Sequence, residues 1–184
     1  MRKLRRHYRR FMGSARGVAA IEFAMILPVL TVLFLGSFDG GRAIAIYMKV
    51  RSATYSLDAI TNQYSTIQSS DMTSIMGAIT QMMAPYSSTP AKITITQIKI
   101  SAAKAATVSW SVSQGGTAHT AGAAITVPSG LSVASTYLIF AEVSYTYTPM
   151  YGYFSAGAIN LADNLYTTPR STTCIVYTPQ SSTC

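Results

Sequence analysis

The chain has 184 residues, which fits one domain, or a membrane anchor plus one compact domain. Its residues are 49% hydrophobic and 11% charged, a composition that is unusually apolar for a wholly soluble protein. The net charge of +8 is local, because seven of the fourteen basic residues lie in the first sixteen positions and the remainder is nearly neutral. With no basic patch in the rest of the chain, we expect the basic block to set membrane orientation and we expect no nucleic-acid partner.

The basic block 1–17 is followed by an apolar run, Val18 to Phe38, in which Glu22 is the only charged residue. A helix of that length spans about 30 Å, the thickness of a bilayer core. The run is longer than the apolar part of a cleaved secretory signal, and no convincing small-residue cleavage site follows it. We therefore predict a single-pass transmembrane helix over 18–38, with 1–17 as a cytoplasmic leader and the chain after it in a bacterial periplasm.

Two helices are predicted in the next segment, residues 39–90. Apolar residues recur at steps of three and four and form one helical stripe, with Lys49, Arg51, Asp58 and Asn62 largely off it. The stripe consists of Ile46, Val50, Ala53, Leu57, Ile60, Tyr64 and Ile67. We expect the membrane helix to continue into this amphipathic helix, with a break at Gly40-Gly41 as an open alternative. The stripe packs either on its own domain or on a partner helix.

The stretch SSDMTSIMGAITQMMAPY predicts a second, shorter helix. Ser70 is its expected cap, Asp71 is favourably placed in the first turn, and Pro85 closes it. Its buried face is expected to contain Met72, Ile75, Met76, Ile79, Met82 and Met83. These methionines are interpreted as packing residues rather than metal ligands.

Residues 91–184 are predicted to be rich in β-strands. In KITITQIKI the alternation slips between Ile95 and Ile98, which predicts a bulge near Thr96-Gln97. SAAKA fits a hairpin to ATVSWSVS, whose Val108, Trp110 and Val112 are expected on one face. After a loop rich in Gly, Ala and Thr, STYLIFAEVSYTYTP forms a longer strand, and RSTTCIVYT is expected to be the last. One side of the longer strand carries Tyr137, Ile139, Ala141, Val143, Tyr145 and Tyr147.

The predicted fold class is therefore α+β. An N-terminal transmembrane helix continues into an amphipathic helix, which packs on a small antiparallel sheet in the periplasmic domain. The only two cysteines, Cys174 and Cys184, are interpreted as one disulfide, worth about 2–3 kcal/mol for so short a loop. Two reduced thiols remain the alternative if this tail is cytosolic.

No catalytic constellation is visible in the sequence, and we expect no enzyme, no cofactor and no metal site. His119 lies in a Gly-rich loop without a nucleophile elbow, and the six acids are scattered. Two cysteines and two distant histidines do not make a four-ligand zinc site plausible. Four tyrosines are interpreted either as an aromatic binding surface or, for the first two, as alternating positions of a strand: Tyr145, Tyr147, Tyr151 and Tyr153.

The block RGVAAIEFAMILPVLTVLFLGSFDGGRA, residues 16–43, resembles the N-terminus of type IV pilin-like precursors. In those precursors a prepilin peptidase removes a basic leader that ends in Gly, and the mature helix carries Glu at its fifth position. More narrowly, AAIEFAMILPVL with Pro28, followed by Gly-x-x-x-Gly-Gly-Arg, is similar to TadE-like pseudopilins of the tight adherence (Tad/Flp) type IVb pilus system. Asp39 departs from that family, which often has Glu there, but the acid is kept.

The resemblance implies cleavage between Gly17 and Val18, which makes Glu22 the fifth mature residue and assigns it to helix register and assembly. It implies a minor pilin or pseudopilin that takes part in assembly of a tight adherence pilus. Expected partners are the prepilin peptidase, other pilin or pseudopilin subunits and the Tad assembly platform. The expected location is the bacterial inner membrane, with incorporation in or association with an extracellular pilus. The alternative is a permanently membrane-anchored periplasmic binding module without processing.

Elementary electrostatics supports the roles that the resemblance implies. Cleavage after Gly17 releases an α-amine at Val18 that is normally protonated at neutral pH. A carboxylate four residues on can pair with that amine, or with the amine of a neighbouring subunit, and so fix the axial register of packed helices. An uncleaved leader holds six arginines and one lysine in the cytoplasm. Processing is therefore interpreted as a release switch.

Overall fold

The computed structural model describes residues 15–151 and 157–180, and within these ranges the chain forms two α-helices and six strands. In chain order they are α1 (Ala15–Thr61), β1 (Thr66–Ile67), α2 (Ser69–Gln81), β2 (Ala91–Ile100), β3 (Ala106–Gln114), β4 (Thr136–Tyr147), β5 (Ile159–Thr167) and β6 (Val176–Tyr177). Two short 3-10 helices cover Ser129–Leu131 and Thr178–Gln180.

Helix α1 is one continuous element of 47 residues, about 70 Å long at 1.5 Å per residue. The alternative of a break at Gly40-Gly41 is wrong, because the helix runs through both glycines. Each glycine costs a helix about 1 kcal/mol relative to alanine. Contacts of the flanking residues offset that cost, since Asp39 is buried and Ala43 packs against the core. The membrane-type half and the domain are therefore joined by an unbroken helix.

The stripe predicted on α1 is confirmed for the part that is helical. Its buried members are Ile46, Val50, Ala53 and Leu57. Because α1 ends at Thr61, Tyr64 lies beyond the helix and Ile67 lies in β1, where it is still fully buried. The stripe packs on the chain's own domain.

The four longer strands form an antiparallel sheet in the order β3-β2-β4-β5, and β1 pairs in parallel with β6 in a separate two-stranded sheet. Helix α1 packs across one face of the larger sheet, with α2 beside it. The core between them takes alternate residues of β2 and β4 together with Trp110 of the edge strand β3: Ile93, Ile95, Trp110, Ile139, Ala141, Val143, Tyr145 and Tyr147. The fold is α+β, as the sequence predicts.

A bulge between β2 and β3 lies where the slip in the apolar pattern predicts one. Gln97 pairs with Trp110 and Ile98 pairs with Val108, so Ser109 is an extra residue in β3. Strand β2 itself pairs with β4 without interruption. An inserted residue reverses the side-chain alternation of its own strand.

The bulge places Val108 and Trp110 on opposite faces of the sheet, so the prediction that they share one face is wrong. Trp110 and Val112 belong to the core beneath the helices. Val108 lies opposite Ile98, which faces the other way. The slip in the apolar pattern of β2 arises because its isoleucines are buried on two different faces. Ile95 is buried under the helices, whereas Ile98 and Ile100 are buried on the opposite face of the sheet.

The loop between β3 and β4 covers part of the face that lies away from the helices. A smaller core forms there from Ile98, Ile100, Leu138 and Phe140, against which Ile125 and Val127 of the loop pack. Strand β2 is therefore buried on both faces, and its buried residues include the polar Thr94, Thr96 and Gln97.

Helix α2 follows the prediction closely except at its cap. Its N-cap is Gln68 rather than Ser70, and the Asp71 carboxylate accepts a hydrogen bond of 3.0 Å from the backbone N–H of Gln68. The acid therefore stabilises the first turn. The predicted face is buried at Met72, Ile75, Met76, Ile79 and Met83, with Met82 partly buried. The helix ends at Gln81, four residues before Pro85.

The C-terminal part of the fold differs from the prediction. The edge strand β5 is unpredicted, and the expected last strand shrinks to Val176–Tyr177, which pairs with β1 outside the larger sheet. Buried polar side chains attach this tail to the sheet. The Gln97 Oε1 atom accepts a hydrogen bond of 2.7 Å from the Ile175 N–H, and the Trp110 indole donates one of 2.9 Å to the Ile175 carbonyl.

Candidate functional site

The N-terminal half of α1 presents apolar side chains on every side. Between Val18 and Phe38 its large hydrophobic side chains, apart from the partly buried Leu35, are 39% to 74% exposed, so the folded domain does not cover them. Within the described ranges, α1 is the one helix long and apolar enough to cross a membrane, by length and composition. An apolar surface of this extent fits lipid or the helix of a partner.

Polar groups in this half of α1 are mostly satisfied within the helix. The Thr31 hydroxyl donates to the Leu27 carbonyl at 2.8 Å, and the Ser37 hydroxyl donates to the Phe34 carbonyl at 2.8 Å. Pro28 lies inside the helix and has no N–H to donate. Among the described residues, the exposed Glu22 carboxylate has no hydrogen-bond or ion-pair partner. Glu22 is thus the polar side chain in this half of α1 for which the described residues provide no partner.

The three residues predicted for processing and register lie together on the first turns of α1. The helix begins at Ala15, so the Gly17–Val18 junction lies within its first turn. Glu22 lies four residues after Val18, and side chains at this spacing share one helix face. Helical Cα–Cβ bonds tilt toward the N-terminus, which directs the Glu22 carboxylate toward Val18.

Asp39 connects the end of the apolar half to the loop after β4. Its Oδ1 atom accepts hydrogen bonds from the Tyr147 hydroxyl at 3.3 Å and from the Met150 N–H at 3.1 Å. Its Oδ2 atom accepts one from the Tyr151 N–H at 3.0 Å, and the Tyr147 hydroxyl also contacts the Asp39 carbonyl at 3.2 Å. Burial and the nearby Asp39 carboxylate raise the pKa of Tyr147, so its hydroxyl stays a donor at physiological pH.

We call the hydrogen bonds from Tyr147, Met150 and Tyr151 to the Asp39 carboxylate the Asp39 clamp. Aromatic and cationic side chains surround it. The Phe38 and Tyr151 rings meet edge to face with centroids 6.3 Å apart, and the Arg42 guanidinium lies 6.0 Å from the Phe38 ring centroid. Phe38, Met150 and Tyr151 are 49%, 63% and 42% exposed, so they form an open surface rather than a core. We call Phe38, Arg42, Met150 and Tyr151 the collar.

A second buried carboxylate ties the far end of α1 to β5. Asp58 is buried and its Oδ1 atom accepts hydrogen bonds from Asn62 at 3.0 Å and from the Thr167 hydroxyl at 2.5 Å. Asn62 also donates to Thr167 at 2.8 Å, while its own buried Oδ1 atom has no hydrogen-bond partner among the residues that the structure describes. Burial raises the pKa of Asp58, although these hydrogen bonds and the charge of Arg170 oppose the shift.

Residues 17–56 match the family model described as TadE-like protein. This segment is TadE-like. The match covers 40 of the 184 residues and agrees, over that segment, with the resemblance to TadE-like proteins found in the sequence. No curated protein and no solved structure matches the chain.

The TadE-like segment contains Gly17, Val18, Glu22 and Asp39, and it ends two residues before Asp58. In the sequence, Asp39 is only a variation on the family pattern, and Asp58 and Asn62 are predicted to lie off the buried stripe. The structure buries Asp39, Asp58 and Asn62. Apart from the local hydrogen bond from Asn62 to Asp58, their partners lie more than a hundred positions away in the chain, so no local pattern could indicate those contacts.

The other residues singled out in the sequence lie apart from the TadE-like segment or in its support. Tyr145 and Tyr147 are buried, so strand alternation explains them and an aromatic binding surface does not. Tyr151 is exposed in the collar, whereas Tyr153 lies outside the described residues. The His119 Nε2 atom lies 2.8 Å from the Glu142 carboxylate on the sheet face away from the helices.

The predicted disulfide and leader reach beyond the part of the chain that the structure describes. Cys174 is buried two residues before β6, but Cys184 lies outside the described residues, so their pairing stays a prediction. The basic leader lies outside them as well, up to position 14.

Proposed function

We propose that this protein is a minor pilin or pseudopilin subunit that takes part in the assembly of a tight adherence pilus, after a prepilin peptidase has cut between Gly17 and Val18. The observation that carries the proposal is the TadE-like match, which begins at Gly17, directly before the proposed junction, and includes Glu22. In this proposal the subunit acts by assembly and not by catalysis. Its partners are the peptidase, other pilin or pseudopilin subunits and the assembly platform.

The exposed apolar half of α1 supports this role. A helix that the folded domain leaves uncovered can lie in a bilayer before assembly and against the helices of other subunits afterwards. In the proposed topology the leader is cytoplasmic and the domain is periplasmic. Each cationic side chain of the leader costs about 2.5–3.5 kcal/mol at the centre of a bilayer. Seven of them therefore prevent the uncut chain from being pulled through the membrane toward the periplasm.

Glu22 acquires its proposed partner when the chain is cut. The new α-amine of Val18 is cationic and lies at the N-terminus of a helix, one turn before the carboxylate. In an apolar environment the carboxylate pairs with this amine or with the amine of an adjacent subunit. A pair between subunits sets the axial position of one helix against the next, which is the assembly role proposed for Glu22.

The test is the N-terminus of the mature protein. We expect mass spectrometry and N-terminal sequencing of the membrane-extracted protein to give a chain that starts at Val18. Gly17→Val should block cleavage, because a branched side chain fills the position before the junction. Gly13→Val is the matched control, since it makes the same change within the leader and should leave processing unaltered.

The competing function is a permanently anchored periplasmic binding module. It requires the native protein to keep residues 1–17 while working normally, and that result would overturn the proposal. Normal maturation of the Gly17→Val variant would move the junction elsewhere and would contradict the assigned site.

A further inference from the structure

We propose that the collar is a second membrane contact, in which Met150 and Tyr151 lie in the headgroup layer of the same bilayer that holds α1. The inference rests on the membrane placement of α1 but not on cleavage of the leader. It assigns a lipid surface as the partner of the loop after β4.

The position of the bilayer border follows from the sequence of α1. The apolar run ends at Phe38, and Asp39 is the first charged residue after Glu22. A charged side chain is expensive in hydrocarbon, so the border lies between the apolar run and Asp39. Residues held at Asp39 are therefore held at the border.

The Asp39 clamp places the loop at this depth. Its carboxylate binds the backbone N–H groups of Met150 and Tyr151 at 3.1 and 3.0 Å, and the Tyr147 hydroxyl anchors the same carboxylate from β4. Because Asp39 directly follows Phe38, the hydrogen bonds that its carboxylate accepts from the Met150 and Tyr151 N–H groups hold the loop at the border. The side chains of Met150 and Tyr151 are left facing outward.

The chemistry of the exposed groups fits a headgroup layer. Tyrosine is enriched at membrane–water interfaces, where its ring lies among acyl chains and its hydroxyl reaches water. The Arg42 side chain returns toward the N-terminus of α1 and lies over the Phe38 ring, which places its guanidinium within reach of lipid phosphates. Met150, at 63% exposure, adds a third exposed apolar side chain to those of Phe38 and Tyr151, and a cluster of exposed apolar side chains is typical of a contact surface.

Depth-dependent fluorescence quenching tests the inference. Full-length protein is reconstituted in vesicles of phosphatidylcholine and phosphatidylglycerol that carry a nitroxide either near the headgroup or deep in the acyl chain. Three tryptophan probes are compared, Tyr151→Trp in the collar, Val29→Trp in the middle of the apolar run, and Tyr55→Trp as the control. Tyr55 is 46% exposed on the same helix, about 25 Å beyond Phe38. The emission of the parent protein, whose sole tryptophan Trp110 is fully buried, is subtracted.

We expect the shallow nitroxide to quench the Tyr151→Trp probe more than the deep one does, with the reverse order for Val29→Trp and no quenching for Tyr55→Trp. Adding Asp39→Ala to the Tyr151→Trp probe should reduce the shallow quenching, because the clamp positions the loop.

An unquenched Tyr151→Trp probe beside a quenched Val29→Trp probe overturns the inference and leaves the membrane anchor intact. In that case, a change of Tyr151→Trp emission with protein density in the membrane identifies a second copy as the occupant. If Val29→Trp is unquenched too, α1 is not in the bilayer, and the membrane anchor in the proposed function fails with the inference.

Discussion

Replacing Asp39 by alanine is expected to destabilise the domain by about 2–4 kcal/mol. The substitution removes the acceptor of three hydrogen bonds from Tyr147, Met150 and Tyr151. A hydrogen bond to a charged group contributes about 1.5–3 kcal/mol, and three of them set the upper limit. The expected loss is smaller than that limit for two reasons. The Tyr147 hydroxyl can still donate its hydrogen bond of 3.2 Å to the backbone carbonyl of residue 39, and water can bind the N–H groups that the substitution frees in the exposed loop.

The measurement is urea unfolding of the full chain in a mild detergent, followed by tryptophan emission. Trp110 is the only tryptophan and is fully buried in the domain core, so its emission reports loss of the domain fold. Asp163→Asn is the control, since it also removes one carboxylate but from a partly exposed position without a hydrogen bond among the described residues. We expect this control to stay within about 0.5 kcal/mol of the parent. If Asp39→Ala stays within the same range, the clamp does not hold the loop to α1.

Two further predictions concern the other carboxylates of α1. Glu22→Ala should enter the membrane normally but reduce the number of pili seen by electron microscopy, whereas Thr31→Val, which removes another polar group from the same half, should not; unaltered piliation would remove the role given to Glu22. Asp58→Asn should change the pH dependence of stability. Because burial raises the pKa of Asp58, the folded parent binds a proton more readily than the unfolded chain, and its stability falls as pH rises from about 4, the unfolded pKa, through the folded pKa. The variant lacks this component, so urea unfolding should show the parent losing stability relative to Asp58→Asn over that window; a difference independent of pH would contradict the assignment.

The sequence predicts those parts of the fold whose signal is local. The apolar run, the helical row from Ile46 to Leu57, and the alternation along β4 each depend on the order of neighbouring side chains. The bulge lies beside the slip that predicts it, but burial of Ile98 on the second face, and not the bulge, interrupts the pattern along β2. Its assignment to β3, with Ser109 as the extra residue, needs the pairing register, which the sequence of one strand does not contain.

The parts of the fold and of the site that the sequence does not predict depend on contacts between residues far apart in the chain. Strand β5 contains Asn160, Asp163 and Asn164, residue types that disfavour strands, and it is ordered by pairing along β4. Asp58 resembles a solvent-exposed helix residue until Thr167 is brought to it by β5. The donors to Asp39 likewise come from the end of β4, so the clamp exists only once the sheet has packed on α1.

Because α1 is continuous through Gly40-Gly41, its two halves change direction together. In the proposed placement, the half beyond Phe38 pivots about the bilayer surface as a rigid rod. From Phe38 to Thr61 the helix extends about 35 Å, so a 10° change in inclination displaces its outer end sideways by about 6 Å. Transmembrane helices tilt to match bilayer thickness. With α1 placed in a bilayer as proposed, a thicker or thinner bilayer reorients the whole domain, and a force applied to the domain is transmitted to the embedded segment without a hinge to absorb it.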